Sequence, residues 1–173
     1  MSNASQCRNF VIAGHSGSGK TILCEALLCK AGVIQRPGTL DAKNTVSDFT
    51  PEEQEKQSSI YSSVMNCTWK DAKLFFVDTP GYGEFVGQYV AAVRAADAAL
   101  VVVDAVDGPQ IGTARAWKLS KERGIPRFGF RIHRACYYVP HRRSRRLFLC
   151  ISTSNRHWGR ARAPRSHRSY TRL

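Results

Sequence analysis

Short apolar runs recur along the first 130 residues of the chain, and each has the length of a single strand. Residues 9–13, 73–77 and 98–103 are largely apolar, as is typical of strands covered on both faces. Residues 61–69 instead alternate imperfectly between apolar and polar positions and are followed at 70–72 by a turn. We therefore expect the segments 61–69 and 73–77 to form a hairpin.

Helical spacing appears between these runs. Apolar positions recur three and four residues apart in the segments 19–32, 85–93 and 111–122. Strands that alternate with helices predict an α/β fold with a mostly parallel sheet. The apolar side predicted for the first helix consists of Ile22, Leu23, Ala26 and Leu27.

Two stretches show neither the strand nor the helix periodicity. Residues 35–59 are polar, contain two prolines and predict a long loop with one helical turn at 52–56. A loop of this length inside a compact domain is usually functional or mobile. A further strand can begin at residues 127–132, but no period persists after it, so we expect the segment 131–173 to be poorly ordered.

Charge is distributed unevenly along the chain. The formal net charge is +13, and residues 127–173 supply all of it through 13 arginines with no lysine and no acidic residue. The longest apolar stretch, at 95–106, is interrupted by Asp97 and Asp104, so no membrane span is expected. Six cysteines in a chain without a secretion signal are typical of reduced thiols in the cytoplasm.

A glycine-rich segment connects the first predicted strand to the first predicted helix, and it satisfies the pattern G-x-x-x-x-G-K-[ST]. Glycines let the backbone turn its N–H groups toward phosphate oxygens, and the helix N-terminus adds its positive dipole end. Lys20 is expected to reach the β- and γ-phosphates, and the Thr21 hydroxyl to ligate Mg²⁺. A Gly/Ser-rich turn is the alternative, but the strand before and the helix after favour phosphate binding. The predicted phosphate contacts are Gly14, His15, Ser16, Gly17, Ser18, Gly19, Lys20 and Thr21.

A second element follows the strand at 73–77. Asp78 begins the sequence Asp-Thr-Pro-Gly, and an acidic residue at this end of a strand can hold Mg²⁺, usually through a water. Gly81 can offer its N–H to a γ-phosphate. An ordinary turn is the alternative for this segment alone, and its pairing with the phosphate loop favours the functional interpretation. The predicted site residues here are Asp78, Thr79, Pro80, Gly81 and Tyr82.

Several segments together resemble the nucleotide-binding domain of translational GTPases, most closely the elongation factor G-like branch. The resemblance extends from about residue 9 to 130 and implies a P-loop fold that binds GTP or GDP and Mg²⁺, coupled in the full family to movement on the ribosome. It makes residues 35–60 the first switch loop and places Ser59 where the family usually has a Thr that ligates Mg²⁺. Thr21, Ser59 and Asp78 are therefore the expected metal ligands. The segments that carry the resemblance are 14–21, 47–53, 78–86, 94–104 and 124–126.

Tyr82 departs from the family, which has a histidine there that positions the attacking water. A phenol, with a pKa of about 10, cannot act near neutral pH as imidazole does, although its hydroxyl can still hydrogen-bond a water. Slow or altered hydrolysis, with Lys20 and Tyr82 as the candidate catalytic residues, is one interpretation. Packing of Tyr82 on the switch is the other.

The guanine-reading motif Asn-Lys-x-Asp is also missing. It is expected soon after residues 124–130, where the chain continues Arg131-Ile-His-Arg134, and no Asp occurs after Asp107. Charge-assisted hydrogen bonds contribute about 1.5–3 kcal/mol each. Losing two of them implies a loss of roughly two to four decades of affinity, and base discrimination should fall with it. The resemblance also implies a sheet that is incomplete at its C-terminal side.

The arginine-rich segment 131–173 has two interpretations. As a disordered arm it would neutralise phosphates while Tyr137, Tyr138 and Trp158 stack on bases, which gives salt-sensitive, sequence-blind nucleic-acid binding. The segment lacks lysine and acidic residues, and it begins where the family sequence should continue in register. Both features are more typical of a truncated or frameshifted reading frame.

The sequence thus predicts a partial P-loop GTP-binding domain at 1–130 and an arginine-rich tail at 131–173. The favoured function is that of a GTP-binding fragment of an elongation factor G-like translation factor, with weak or lost hydrolysis. The alternatives are a nucleic-acid- or ribosome-binding protein that uses the basic tail and a nucleotide-promiscuous P-loop NTPase.

Overall fold

Strands and helices alternate along the chain in a computed structural model that describes residues 7–132 and the backbone of residues 150–152. The strands are β1 (Cys7–Gly14), β2 (Ser63–Trp69), β3 (Ala72–Asp78), β4 (Ala98–Asp104), β5 (Arg127–Ile132) and β6 (Cys150–Ser152). The helices are α1 (Lys20–Lys30), α2 (Pro51–Lys56), α3 (Val86–Ala95) and α4 (Ile111–Glu122), with a 3₁₀ turn at Gly83–Phe85 before α3.

The described strands form one sheet in the order β2-β3-β1-β4-β5-β6. β1 pairs in parallel with both β3 and β4, and β4 pairs in parallel with β5. β2 is antiparallel to β3, with Trp69 opposite Ala72, so the predicted hairpin is present. The prediction of an α/β fold with a mostly parallel sheet is confirmed.

β1 lies at the centre of the sheet, and its alternate side chains enter two different cores. Ile12 packs with Leu23, Phe76 and other residues on the side of the sheet that α1 covers. Val11 packs with Tyr89 and other residues on the side that α3 and α4 cover. Burial on both faces explains why this strand reads as a continuous apolar run rather than as an alternating one.

The parallel strands β1, β3 and β4 end at the same edge of the sheet. Gly14, Asp78 and Asp104 are the last residues of these three strands. Loops that leave the carboxyl ends of adjacent parallel strands meet there, which is where ligands bind in open α/β sheets. The fold therefore brings the glycine-rich segment and the Asp-Thr-Pro-Gly segment together, although more than 50 residues separate them along the chain.

The buried side of α1 differs from the one that the pattern predicts. Leu23, Cys24 and Leu28 are buried, whereas Ile22, Ala26 and Leu27 are only half-buried. The prediction was right for Leu23, which is in the core, and for Leu27, which packs against it, but it missed the burial of Cys24 and Leu28. The side chain of Glu25 is also fully buried, by contacts with the polar loop that follows the helix.

The C-terminal side of the sheet agrees with expectation in one strand and differs in the next. β5 is the further strand that the sequence suggests at residues 127–132. The backbone of Cys150–Ser152 pairs with β5 in the antiparallel direction, although the sequence pattern predicts no strand there. The rest of the predicted tail lies outside the described residues. No helix among the described residues is long and apolar enough to cross a membrane.

Candidate functional site

The glycine-rich segment connects β1 to α1 at the strand-end edge of the sheet. Gly17 and Gly19 have φ values of 72° and 92°, in the left-handed region that glycine adopts at little cost. Gly19 is the N-cap of α1 and supplies no side-chain cap, so the first N–H groups of the helix are left for another acceptor. Such an uncapped helix N-terminus after a glycine-rich turn is suited to binding an anion.

Lys20 is the first residue of α1, and its side chain is only 6% exposed. Its Nζ donates a hydrogen bond of 2.9 Å to the carbonyl oxygen of His15 and so closes the loop on itself. Burial lowers the pKa of Lys20, while the nearby charge of Asp78 opposes that change. A buried ammonium with one neutral acceptor gains strongly from an anionic partner.

The predicted metal ligands Thr21, Ser59 and Asp78 lie within hydrogen-bonding distance in one chain of contacts. Thr21 Oγ1 donates to Asp78 Oδ2 at 2.9 Å and lies 3.2 Å from Ser59 Oγ. Ser59 Oγ in turn donates to Asp48 Oδ1 at 2.7 Å. All four residues are less than 9% exposed. A buried polar cluster is therefore formed by α1, β3 and two points of the loop at residues 35–60, called here the first loop.

Each carboxylate of this cluster has one buried oxygen without a hydrogen-bond partner among the described residues, namely Asp78 Oδ1 and Asp48 Oδ2. Burial raises the pKa of Asp78 to about 6, against the opposing effect of Lys20. Burial also raises the pKa of Asp48, against the hydrogen bond from Ser59. Carboxylate and hydroxyl oxygens are the ligands that Mg²⁺ prefers. The residues present therefore fit a hard divalent cation.

Asp48 is the site residue that the sequence interpretation missed. It lies in the first loop, 30 positions before Asp78, where no strand or helix period marks it. Only the fold of the loop brings its carboxylate to Ser59. Glu53 was missed as well, although a local signal existed, because Thr50-Pro-Glu-Glu53 has the spacing of a capping box.

Glu53 holds the segment that carries Ser59. Its Oε1 accepts hydrogen bonds from the N–H groups of Ile60 and Tyr61 at 3.0 and 3.1 Å. Burial alone would raise the pKa of Glu53, but these bonds and those from Thr50 outweigh burial, and its pKa is lowered. Glu53 is therefore an ionised carboxylate in the middle of the first loop.

Glu25 fixes an earlier part of the same loop to α1. Its two carboxylate oxygens accept hydrogen bonds from Gly38 N at 2.7 Å and from Val46 N at 2.6 Å. Between these points Thr39 N donates to Asn44 Oδ1 at 2.8 Å. The backbone from Gly38 to Val46 therefore closes on itself against the helix.

The Asp-Thr-Pro-Gly turn lies directly against the glycine-rich segment at residues 14–21. Thr79 Oγ1 donates to the carbonyl oxygen of Ile12 at 2.7 Å and ties the start of the turn to β1. A Cβ on Gly81 would come within 2.5 Å of both Lys20 Nζ and Ser16 N, so only glycine fits at this position. The backbone of Gly81 thus faces the same space as the N–H groups of the loop.

Tyr82 is half-exposed and lines a small cavity together with Gly14, Gly81 and Arg115. The Arg115 guanidinium, from α4, donates to the carbonyl oxygen of Gly83 at 3.3 Å and holds the turn from the far side. Gly112 N, at the start of α4, donates to His15 Nδ1 at 3.3 Å. One helix therefore contacts both loops of the site. Of the predicted residues, Pro80 also lines this cavity.

Comparisons with known proteins agree with this architecture. The model of the family described as "Elongation factor Tu GTP binding domain" matches residues 5–131. An elongation factor G-like protein of Mycobacterium tuberculosis is 43% identical over 120 residues, which cover 69% of this chain and 17% of that protein. Elongation factor G 2 of Borreliella burgdorferi is 35% identical over 123 residues, covering 71% of this chain and 18% of that protein.

A solved crystal structure of a Thermus thermophilus protein is similar in fold. It superposes with a TM-score of 0.70 at 41% identity and covers 73% of this chain and 19% of its own. The chain therefore spans less than a fifth of the length of the relatives that it matches.

The buried carboxyl of Asp78 predicts how stability depends on pH. Because its folded-state pKa is raised from 3.8 to about 6, protonation stabilises the folded state at acid pH, and this contribution is lost as the pH rises from about 4 through 6. We expect the wild-type chain, without nucleotide or divalent cation, to gain about 2 kcal/mol relative to Asp78→Asn between about pH 7 and pH 4.

Urea unfolding of both chains in the presence of a chelator measures this difference. The amide introduced by the substitution keeps an oxygen that can accept from Thr21, and subtracting the variant's profile removes the titration of groups that do not interact with Asp78. Parallel pH profiles for the two chains would contradict the prediction.

Proposed function

Because the chain belongs to the family of elongation factor Tu GTP-binding domains, we propose that it binds a guanine nucleotide together with Mg²⁺ at the strand-end edge of its sheet. The observation that carries the proposal is the buried cluster of Thr21, Ser59, Asp48 and Asp78, with its two unpartnered carboxylate oxygens, directly beside the phosphate loop. Phosphate and cation would each neutralise charges that the fold has already buried.

Different residues would bind different parts of the nucleotide, according to their chemistry. The N–H groups of the loop from Gly14 to Gly19 and of the first turn of α1 would donate to phosphate oxygens. Lys20 would exchange the carbonyl oxygen of His15 for the β- and γ-phosphates, which favours its charged form. The Gly81 N–H would donate a hydrogen bond to the γ-phosphate when one is present.

Mg²⁺ would be held by the Thr21 and Ser59 hydroxyls and, through water, by Asp78. Asp48 would orient Ser59 and supply further negative charge. When bound, the cation would neutralise part of the negative charge of the phosphates. The hydrogen bonds among these residues keep their oxygens at one point before the cation arrives, so little reorganisation is required.

Hydrolysis in this site should be slow. Tyr82 is half-exposed next to Gly81, so its phenol hydroxyl can hydrogen-bond a water, but it lacks the imidazole nitrogen with which a histidine would position that water. The charge of a transition state would then be stabilised by the loop N–H groups, the Gly81 N–H, Lys20 and Mg²⁺, without a residue that activates the water. We therefore propose a nucleotide-binding domain with weak GTPase activity rather than a fast enzyme.

Recognition of the base should be weak as well. β5 ends at Ile132, and the residues that follow read His-Arg-Ala-Cys in place of Asn-Lys-x-Asp. No acidic residue follows this point in the sequence, so the chain offers no carboxylate from its C-terminal part to the two guanine N–H groups. Affinity would then come from the phosphates and Mg²⁺.

Association with the ribosome is a property of the elongation factor family that we extend to this chain as a proposal only. A second candidate function rests on the 13 arginines of residues 127–173, which carry no compensating acid. These residues would bind nucleic acid through phosphate contacts, without reading its sequence.

Lys20→Ala tests the phosphate site. We expect the affinity for GTP with Mg²⁺ to fall by roughly 10²- to 10⁴-fold, because charge-assisted contacts contribute about 1.5–3 kcal/mol each. Titration with a fluorescent GTP analogue measures the affinity, and Lys118→Ala, a change of an exposed lysine on α4, is the matched control. Tight binding by the Lys20 variant, or wild-type binding that needs no Mg²⁺, would refute the proposed function.

Competition between nucleotides tests base recognition. If phosphates and Mg²⁺ supply the affinity, ATP should displace the bound GTP analogue within about tenfold of the GTP concentration that does so, because the two differ only in the base. The measurement is the half-displacing concentration of each nucleotide. A preference for GTP of roughly a thousandfold or more would show that other residues read guanine.

Removal of residues 153–173 tests the second candidate. This deletion takes away six arginines and leaves β5 and β6 in place. If the tail binds single-stranded RNA, the slope of log affinity against log salt should become shallower by up to about 4, at about 0.7 per lost phosphate contact. RNA binding measured over a salt series gives the slope. An unchanged slope would remove this candidate.

A further inference from the structure

Glu53 is a buried carboxylate that the proposed nucleotide site does not use directly. Its side chain is only 1% exposed, and it belongs to α2, six residues before Ser59. Four hydrogen bonds converge on its two oxygens. Two come from Thr50, from its N–H at 3.3 Å and its hydroxyl at 2.9 Å, and two come from the N–H groups of Ile60 and Tyr61.

These bonds connect the beginning of α2 to the segment beyond its end. Glu53 N donates to Thr50 Oγ1 at 3.3 Å, which completes a capping box at the N-terminus of the helix. Gln57 then reverses the chain at the C-terminus with a left-handed φ of 49°. A helix of six residues is too short to be stable alone, so the carboxylate supplies much of what holds this turn together.

The main chain and the side chain of Glu53 together fix Ser59 from both sides. Ser58 N donates to the carbonyl oxygen of Glu53 at 3.1 Å, and Ile60 N donates to its carboxylate at 3.0 Å. The backbone of Ser59 lies between these two anchored residues. Its hydroxyl is thereby kept 3.2 Å from Thr21 Oγ1 and 2.7 Å from Asp48 Oδ1.

We propose that Glu53 is a positioning residue that holds Ser59 in the place where its hydroxyl ligates the nucleotide-bound Mg²⁺. The inference rests on the proposed function, since it assigns Glu53 a part in that same cation site. Glu53 itself lies outside the ligand set, and its carboxylate acts through the backbone of Ile60 and Tyr61. The order of the 50–61 segment and the occupancy of the metal site are then thermodynamically linked.

A residue that only stabilises the fold would weaken nucleotide binding with and without Mg²⁺ alike. A residue that positions a metal ligand would change the Mg²⁺ requirement selectively. It would also lose that effect once the ligand hydroxyl is removed, because two changes that act through one group are not additive. This difference gives the test its readout.

The test uses the full 173-residue chain, a fluorescent GTP analogue as probe, and Mg²⁺ titration against a chelator. In Glu53→Gln the amide group donates where the carboxylate only accepted, so some of the four hydrogen bonds to the Glu53 side chain, called here the clamp, are lost. We expect the Mg²⁺ concentration for half-maximal tightening of binding to rise about five- to tenfold. Affinity in the chelator alone should change less than about twofold. Glu52→Gln, an exposed neighbour on the same helix, should match the wild-type chain.

The double variant Glu53→Gln with Ser59→Ala decides whether the effect passes through Ser59. Adding Glu53→Gln to Ser59→Ala should change the Mg²⁺ requirement less than about twofold. A shift as large as in the wild-type background would overturn the inference, as would an equal loss of affinity with and without Mg²⁺. If Glu53→Gln does not fold, Thr50→Ala breaks only the capping side of the clamp and should shift the Mg²⁺ requirement in the same direction by a smaller factor.

Amide hydrogen exchange without nucleotide separates this inference from the proposed function. Glu53→Gln should speed exchange at Ile60 and Tyr61 by about tenfold or more while β1 and β4 stay protected. If the wild-type chain lacks Mg²⁺-dependent nucleotide binding, the proposed function fails and the metal role of Glu53 fails with it. Unchanged exchange at Ile60 and Tyr61 would instead overturn only the positioning by Glu53.

Discussion

The burial of like charges at one edge of the sheet is the constraint on which the rest of the site depends. Asp48 and Asp78 are almost completely buried, and Lys20 is the buried cation whose charge reaches both of them. Charges buried without full compensation are expensive. The fold reduces this expense by internal hydrogen bonds, from Thr21 to Asp78, from Ser59 to Asp48 and from Lys20 to the carbonyl oxygen of His15. Each of these bonds occupies a group that a nucleotide and its cation would use.

Those contacts extend into the scaffold through α4. The helix contacts His15 through Gly112, supports the turn after Gly81 through Arg115, and accepts a hydrogen bond of 3.0 Å from Tyr89 on α3 through the carbonyl oxygen of Ala116. The phosphate loop, the turn and α3 share this support.

The sequence predicts well what is encoded by neighbouring residues. The apolar runs, the helical repeats, the phosphate loop and the Asp-Thr-Pro-Gly turn are each contiguous, and the α/β fold they predict is confirmed. Contacts that depend on how the first loop folds were not predictable in the same way. Asp48 and Ser59 come into contact only through the fold of the loop, and the acidic residue Glu25 is buried because a polar loop covers it. The capping box at Glu53 could be predicted from the sequence, but the hydrogen bonds from Ile60 and Tyr61 to its carboxylate could not.

The carboxylate of Glu25 has a consequence for how the first loop can open. Its two oxygens hold Gly38 and Val46, so both ends of a nine-residue stretch depend on one buried side chain. Neither end gains much freedom while the other remains bound. The stretch should therefore behave as a small cooperative unit of local unfolding, closed or open as a whole, rather than as a loop that frays residue by residue.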